Sequence, residues 1–89
     1  MPVKMVVYIL QSLVKERYYI GCTSNLNRRL EEHNSGKTRS TKAYKPWKIV
    51  YIEEIISSAD AYKREKEIKS YKGGLKFKEL QNTERWQSG

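Results

Sequence analysis

Cysteine is almost absent from this chain. Cys22 stands alone among 89 residues, so no internal disulfide can form. A single thiol fits a reducing compartment, and a cytoplasmic location is the expectation. No apolar run approaches the roughly 18 residues needed to span a bilayer, so no membrane association is expected. Met1 to Leu10 carries one lysine and a short apolar run but no small-residue cleavage site, which argues against a cleaved signal peptide. Internal repeats and low-complexity segments are missing. The length leaves no room for a second core, so residues 1–82 are expected to form one domain, with 83–89 as a short tail. A domain this small buries only about 60% of its unfolded surface, so every apolar run must serve one compact layered structure. Acidic residues are outnumbered, 10 against 18 basic ones, giving a net charge of +8. Such an excess favours a polyanionic partner, because Lys and Arg release counterions from a phosphate backbone.

What is present divides into recognisable elements. Met5-Val6-Val7-Tyr8-Ile9-Leu10 is continuous, β-branched and aromatic, the pattern of a strand buried on both faces. Lys15 to Arg17 marks a turn, and Tyr18-Tyr19-Ile20-Gly21 forms the second arm of an antiparallel hairpin. Asn25 is a good N-cap for a helix that should stop at Asn34-Ser35-Gly36. Lys37 to Pro46 has no apolar period and reads as a basic loop carrying Lys37, Arg39, Lys42 and Lys45. Trp47 to Ile56 is a third strand. Ser57 or Ser58 caps a second helix that runs to about Tyr71, Gly73-Gly74 breaks it, and Leu75 to Gln81 makes a third. Trp86 in the tail is expected to pack against the domain. The order β-β-α-β-α-α predicts an α+β layered fold, a small three-stranded antiparallel sheet flanked by helices.

Helical-wheel arithmetic singles out three polar residues. Leu26 and Leu30 set the inward stripe of the first helix, and at about 100° per residue Arg29 and His33 fall beside it while Arg28 points away. A snorkelling arginine and a boundary histidine would account for this, as would a functional pair. On the second helix Ala61 and Ile68 define the apolar face, and Glu65 lies between them, whereas Asp60 and Glu67 lie well off it. A carboxylate aimed at a small core needs a partner. Either a buried ion pair, with Arg29 for example, or a hard divalent cation would supply one. Tyr8 and Tyr19 sit on the two hairpin strands, and their hydroxyls need hydrogen-bond partners if buried. A polar pocket shared with the inward arginine, histidine and glutamate is the simplest account of all five.

These residues resemble the GIY-YIG nuclease superfamily. Val7-Tyr8-Ile9 and Tyr19-Ile20-Gly21 look like the two motifs that name it. The run from Tyr19 to Leu30, followed by Glu32-His33-Asn34, is similar to its strand-to-helix signature. Trp47 to Tyr51 and Ala61 to Lys69 resemble the later strand and the helix that bears the acid. Five elements in the correct order make the likeness specific. It is greatest to the short stand-alone branch related to the amino-terminal nuclease domain of the excinuclease C subunit.

The resemblance implies a metal-dependent endonuclease that hydrolyses DNA phosphodiester bonds, structure-directed or weakly specific, with a role in repair or recombination. It places Tyr8, Tyr19, Arg29, His33 and Glu65 in the catalytic set. One tyrosine would position or deprotonate the attacking water, Arg29 would steady the phosphate, and His33 would carry a proton. Glu65 would hold one divalent cation, Mg²⁺ or Mn²⁺. Lys37, Arg39, Lys42 and Lys45 would hold flanking backbone without reading sequence. Val7 replaces the first glycine of the name motif, and Cys22 stands where some members carry lysine. Asn82 is an auxiliary candidate whose loose spacing from Glu65 equally fits a helix-ending asparagine. Nothing resembles a separate DNA-targeting domain, and a monomer is expected, with or without a protein partner. The rival reading is a catalytically silent nucleic-acid-binding module with the same fold; RNA as the partner is a third.

Overall fold

A computed structural model describes residues 4–71 and 74–81. Three strands, β1 (Met5–Ser12), β2 (Tyr18–Thr23) and β3 (Trp47–Ile55), form one sheet in the order β2-β1-β3, antiparallel throughout. Helix α1 (Leu26–Ser35) lies between β2 and β3 in sequence, and α2 (Ser58–Ser70) and α3 (Leu75–Gln81) follow β3. The expected order and layering are therefore those observed. The arms of the hairpin are longer than the residue pattern suggests, because Gln11 and Ser12 still pair across to β2 or β3.

The central position of β1 explains its unbroken apolar run. Met5, Val7 and Ile9 face a core completed by Tyr51, Ala61, Ile68 and Phe77. Tyr8 and Leu10 face a second core with Trp47, against which Tyr19, Leu26, Leu30, Tyr44, Ile49 and Ile52 pack. Helices α2 and α3 thus cover one side of the sheet, and α1 with the loop after it covers the other. A register shift opposite Ile9 and Leu10 pairs Ile9 with Tyr51 but Leu10 with Ile49, leaving Val50 as the extra residue of a β-bulge. The bulge puts Ile49 and Ile52 on one face although they are three residues apart, where strict alternation would oppose them.

Local chemistry fixes the ends of the helices. Asn25 Oδ1 accepts from the Arg28 N–H at 3.1 Å and caps α1. Gly36 ends that helix at φ +84°, a left-handed conformation in which a side chain would be strained. Ser57 caps α2 by accepting from Asp60 N–H.

The basic loop is more ordered than its composition suggests. It contains a 3₁₀ turn at Lys42–Tyr44, and Thr41 just before that turn is buried. Two clamps hold it. Asn34 on α1 accepts from Trp47 N–H at 2.6 Å and donates to Trp47 C=O at 3.2 Å, while the Trp47 indole N–H donates to Thr41 C=O at 3.0 Å. Ser12 ties the hairpin turn to the same loop by donating to Tyr44 C=O at 2.6 Å. Trp86 and Asn82 lie outside the described residues.

Two isoleucines separate core from surface. Ile68→Ala, at a fully buried site on α2, is expected to cost about 2–5 kcal/mol in urea denaturation. Ile56→Ala, at a mostly exposed site after β3, should stay within about 0.5 kcal/mol of wild type.

Candidate active site

Tyr8 leans from β1 across to its partner strand, where its register mate is Gly21. A Cβ built on Gly21 would sit 2.7 Å from the Tyr8 hydroxyl oxygen and 3.0 Å from the Tyr19 ring. The bare backbone of Gly21 is therefore what lets both phenols occupy this face of the hairpin. Their ring centroids are 6.2 Å apart.

Helix α1 closes the cluster from above. His33 is fully buried; its Nε2 lies 3.2 Å from the Tyr8 hydroxyl and its Nδ1 lies 2.8 Å from Thr41 Oγ1. The His33 ring also packs 4.6 Å from that of Tyr19. One turn earlier, the half-buried Arg29 interacts with both tyrosine hydroxyls and donates to Glu32 at 2.9 Å. Arg28 is exposed, as the wheel requires.

Burial and charge set the protonation states. Burial pushes the Tyr8 phenol up to about 12, with the Arg29 guanidinium opposing the rise and the Tyr19 and Glu65 side chains adding to it. Burial and the nearby Arg29 charge hold His33 below the ordinary histidine range. Glu32 raises the pKa of Arg29, which stays charged throughout.

Glu65 approaches from the other side of β2. Its carboxylate neighbours the Cys22 thiol, which burial and that carboxylate push up to about 12. Glu65 accepts from Lys69 Nζ at 2.5 Å; the side chains are 19% and 54% exposed respectively. An ion pair between Glu65 and Arg29, one of the two sequence-based expectations, is not formed. Each takes a nearer partner on its own helix, Lys69 four residues on and Glu32 three residues on. Tyr8, Tyr19 and His33 thus pack together, with Arg29 bearing on both phenols electrostatically and Glu65 reaching the cluster as a charge felt at Tyr8. Arg64, beside Glu65 in sequence, grips Glu53 with both arms of its fork at 2.8 and 2.9 Å and also binds Glu67. Glu53 accepts in addition from the Tyr51 hydroxyl.

Lys37, Arg39, Lys42 and Lys45 are all exposed. Lys42 and Lys45 gather near Gly36 at the carboxyl end of α1, where the helix dipole favours cations. Among the described residues, no three His, Cys, Asp or Glu side chains converge to form a metal cage. A hard divalent cation does not need one. Mg²⁺ commonly takes one or two carboxylates and completes its shell with water and substrate phosphate, so a lone, partly exposed Glu65 fits that donor set.

The GIY-YIG catalytic domain matches residues 4–78. The chain belongs to the GIY-YIG family. A UPF0213 protein of Syntrophus aciditrophicus is 41% identical over 92% of this chain and 97% of its own. One from Staphylococcus epidermidis is 39% identical over 71% of this chain and 78% of its own. A solution NMR structure of a UPF0213 protein from Bacillus halodurans is 30% identical, covers 85% of this chain and 79% of that one, and superposes with a TM-score of 0.49. GIY-YIG domains are nuclease domains that act on nucleic acid and generally use divalent metals. Among the described residues no helix of this GIY-YIG domain is long and apolar enough to cross a membrane.

Three residues of the site were missed from sequence. Glu32 and Lys69 could have been found by their spacing from Arg29 and Glu65. Thr41 carries no such signal, since it lies in a segment without apolar period.

Two measurements test this geometry. Gly→Ala at a compatible position stabilises a protein by about 0.4–1 kcal/mol, but Gly21→Ala is expected to destabilise this one by about 1–3 kcal/mol through crowding of Tyr8. Because His33 is held neutral inside, the unfolded chain binds a proton that the native chain refuses. Stability should therefore decline as pH drops through and below the ordinary value of 6.5. Urea denaturation at about pH 7 and about pH 5 should show this slope in wild type and a flatter one in His33→Gln.

Proposed function

We propose that this GIY-YIG domain is a metal-dependent endonuclease that hydrolyses DNA phosphodiester bonds, directed by DNA structure or only weakly by sequence, as in repair or recombination. The observation that carries the reading is a charged arginine beside two neighbouring phenols, with a buried histidine 3.2 Å from the hydroxyl of one of them. Hydrolysis needs charge neutralisation at the phosphate, a positioned water and a route for its proton. Arg29 can present its planar fork to two phosphate oxygens, trading Glu32 for substrate. Tyr8 is buried and Tyr19 only partly so, which makes the Tyr19 hydroxyl the one able to orient the attacking water. His33 can receive a proton from Tyr8. Glu65 would hold the divalent cation, which supplies Lewis-acid assistance to the leaving oxygen when bound. Lys37, Arg39, Lys42 and Lys45 would grip flanking phosphates, in keeping with a net charge of +8. Asn82, the auxiliary candidate, lies outside the described residues.

One observation favours the rival, a silent nucleic-acid-binding module. Lys69 neutralises Glu65, and a Tyr8 phenol at about 12 is a weak base source without further help. Cleavage assays on nicked, branched and single-stranded DNA with Mg²⁺ or Mn²⁺ separate the two. An endonuclease should lose at least about a hundredfold in rate in both Arg29→Ala and Glu65→Gln. Tight DNA binding without metal-dependent cleavage, indifferent to Glu65→Gln, would establish the binder.

A further inference from the structure

We infer that Thr41 is a positioning residue that fixes His33 in the tautomer protonated at Nδ1, so that Nε2 turns a lone pair toward the Tyr8 hydroxyl. The inference deepens the proposed nuclease reading, in which His33 is the proton carrier, but its geometry stands apart from that reading.

Donors and acceptors can be assigned around the ring. The Thr41 hydroxyl has one proton and donates it to Thr38 C=O at 3.3 Å. Its oxygen is then free to accept, and among the described residues the group placed to donate, at 2.8 Å, is His33 Nδ1–H. With the imidazole neutral, Nε2 carries no proton and must accept from Tyr8 O–H at 3.2 Å. Arg29 can only donate, and it interacts with the Tyr8 oxygen without competing for the tyrosine proton. The opposite tautomer fails this accounting. Nε2–H would then donate to the Tyr8 oxygen, Nδ1 would face a Thr41 hydroxyl whose proton is already given to Thr38, and the phenol proton would find no acceptor on the ring. Tyr8, His33 and Thr41 are all at least 99% buried, where a proton without an acceptor is costly.

The backbone keeps Thr41 in place independently of its hydroxyl. The Trp47 indole holds its carbonyl at 3.0 Å, and the Thr41 N–H donates to Thr38 C=O at 3.2 Å. Removing the hydroxyl therefore removes the tautomer control while leaving the loop anchored. Such support behind an acid–base histidine is the usual means of orienting one.

Long-range ¹H–¹⁵N correlation spectra of the histidine ring distinguish protonated from bare nitrogens. The chain has a single histidine, so the signals belong to His33. In wild type Nδ1 should be protonated and Nε2 bare. Thr41→Val, nearly isosteric, should mix or invert the two signatures, and Thr41→Ser should restore them; Thr41→Ala serves if the valine packs poorly. On DNA, kcat of the valine variant should fall about tenfold or more with KM little changed, and the serine variant should recover it. A wild-type ring protonated at Nε2, or a ring whose signature is the same in all variants, overturns the inference. Should the signatures move as described while no DNA is cleaved by any form, the nuclease reading fails and the role of Thr41 stands.

Discussion

A phenol hydroxyl buried in the middle of a three-stranded sheet must be satisfied, and most of what surrounds Tyr8 answers to that requirement. Its strand is the central one, closed by helices on both faces, so water cannot serve. The partners must come from the chain. His33 arrives from α1, Arg29 from one turn earlier, and Gly21 withdraws from the space the ring needs. Thr41 and the clamp between Asn34 and Trp47 then hold the histidine's far side. A purely structural core could have put phenylalanine at this position and dispensed with all of them. Keeping a hydroxyl there commits a large fraction of a small domain to supporting it.

The two acidic residues nearest this cluster both carry a cation from their own helix. Arg29 with Glu32 and Lys69 with Glu65 are short-range helical pairs, partly buried, and i,i+3 or i,i+4 pairs contribute only about 0.2–0.5 kcal/mol to a helix. Pairs so weak are easily exchanged. A phosphate can displace Glu32 from the guanidinium, and a divalent cation can displace an exposed ammonium from the carboxylate. Arg64 differs. Its two-armed grip on Glu53, shared with Glu67, is better oriented and more enclosed, and it holds α2 against β3.

Much of this was legible in the residues themselves. Helix ends follow from Asn25, Gly36 and Ser57 because capping is local chemistry. The inward lean of Arg29, His33 and Glu65 follows from 3.6-residue periodicity, and the double-sided burial of β1 from its unbroken apolar run. What escaped is what depends on tertiary partners. Thr41 is a polar residue in a basic, aperiodic loop, and only its meeting with His33 and Trp47 gives it significance. The bulge at Val50 is equally silent, since alternation read along β3 alone would set Ile49 against Ile52. The wheel turns Glu65 inward, but only the folded helix shows Lys69 beside it.

That bulge carries a consequence for how the domain can vary. Loops of a small protein usually absorb gains and losses of single residues. Strand β3 can lose a residue only at Val50, where plain alternation would return with Ile49 and Tyr51 on their own faces; a residue gained there would exchange the sets of side chains facing the two cores. Tyr51 would be driven toward the histidine and Ile52 toward α2. Drift in length is therefore confined to the hairpin tip, other surface turns and the bulge itself, while the rest of this edge strand keeps a fixed residue count.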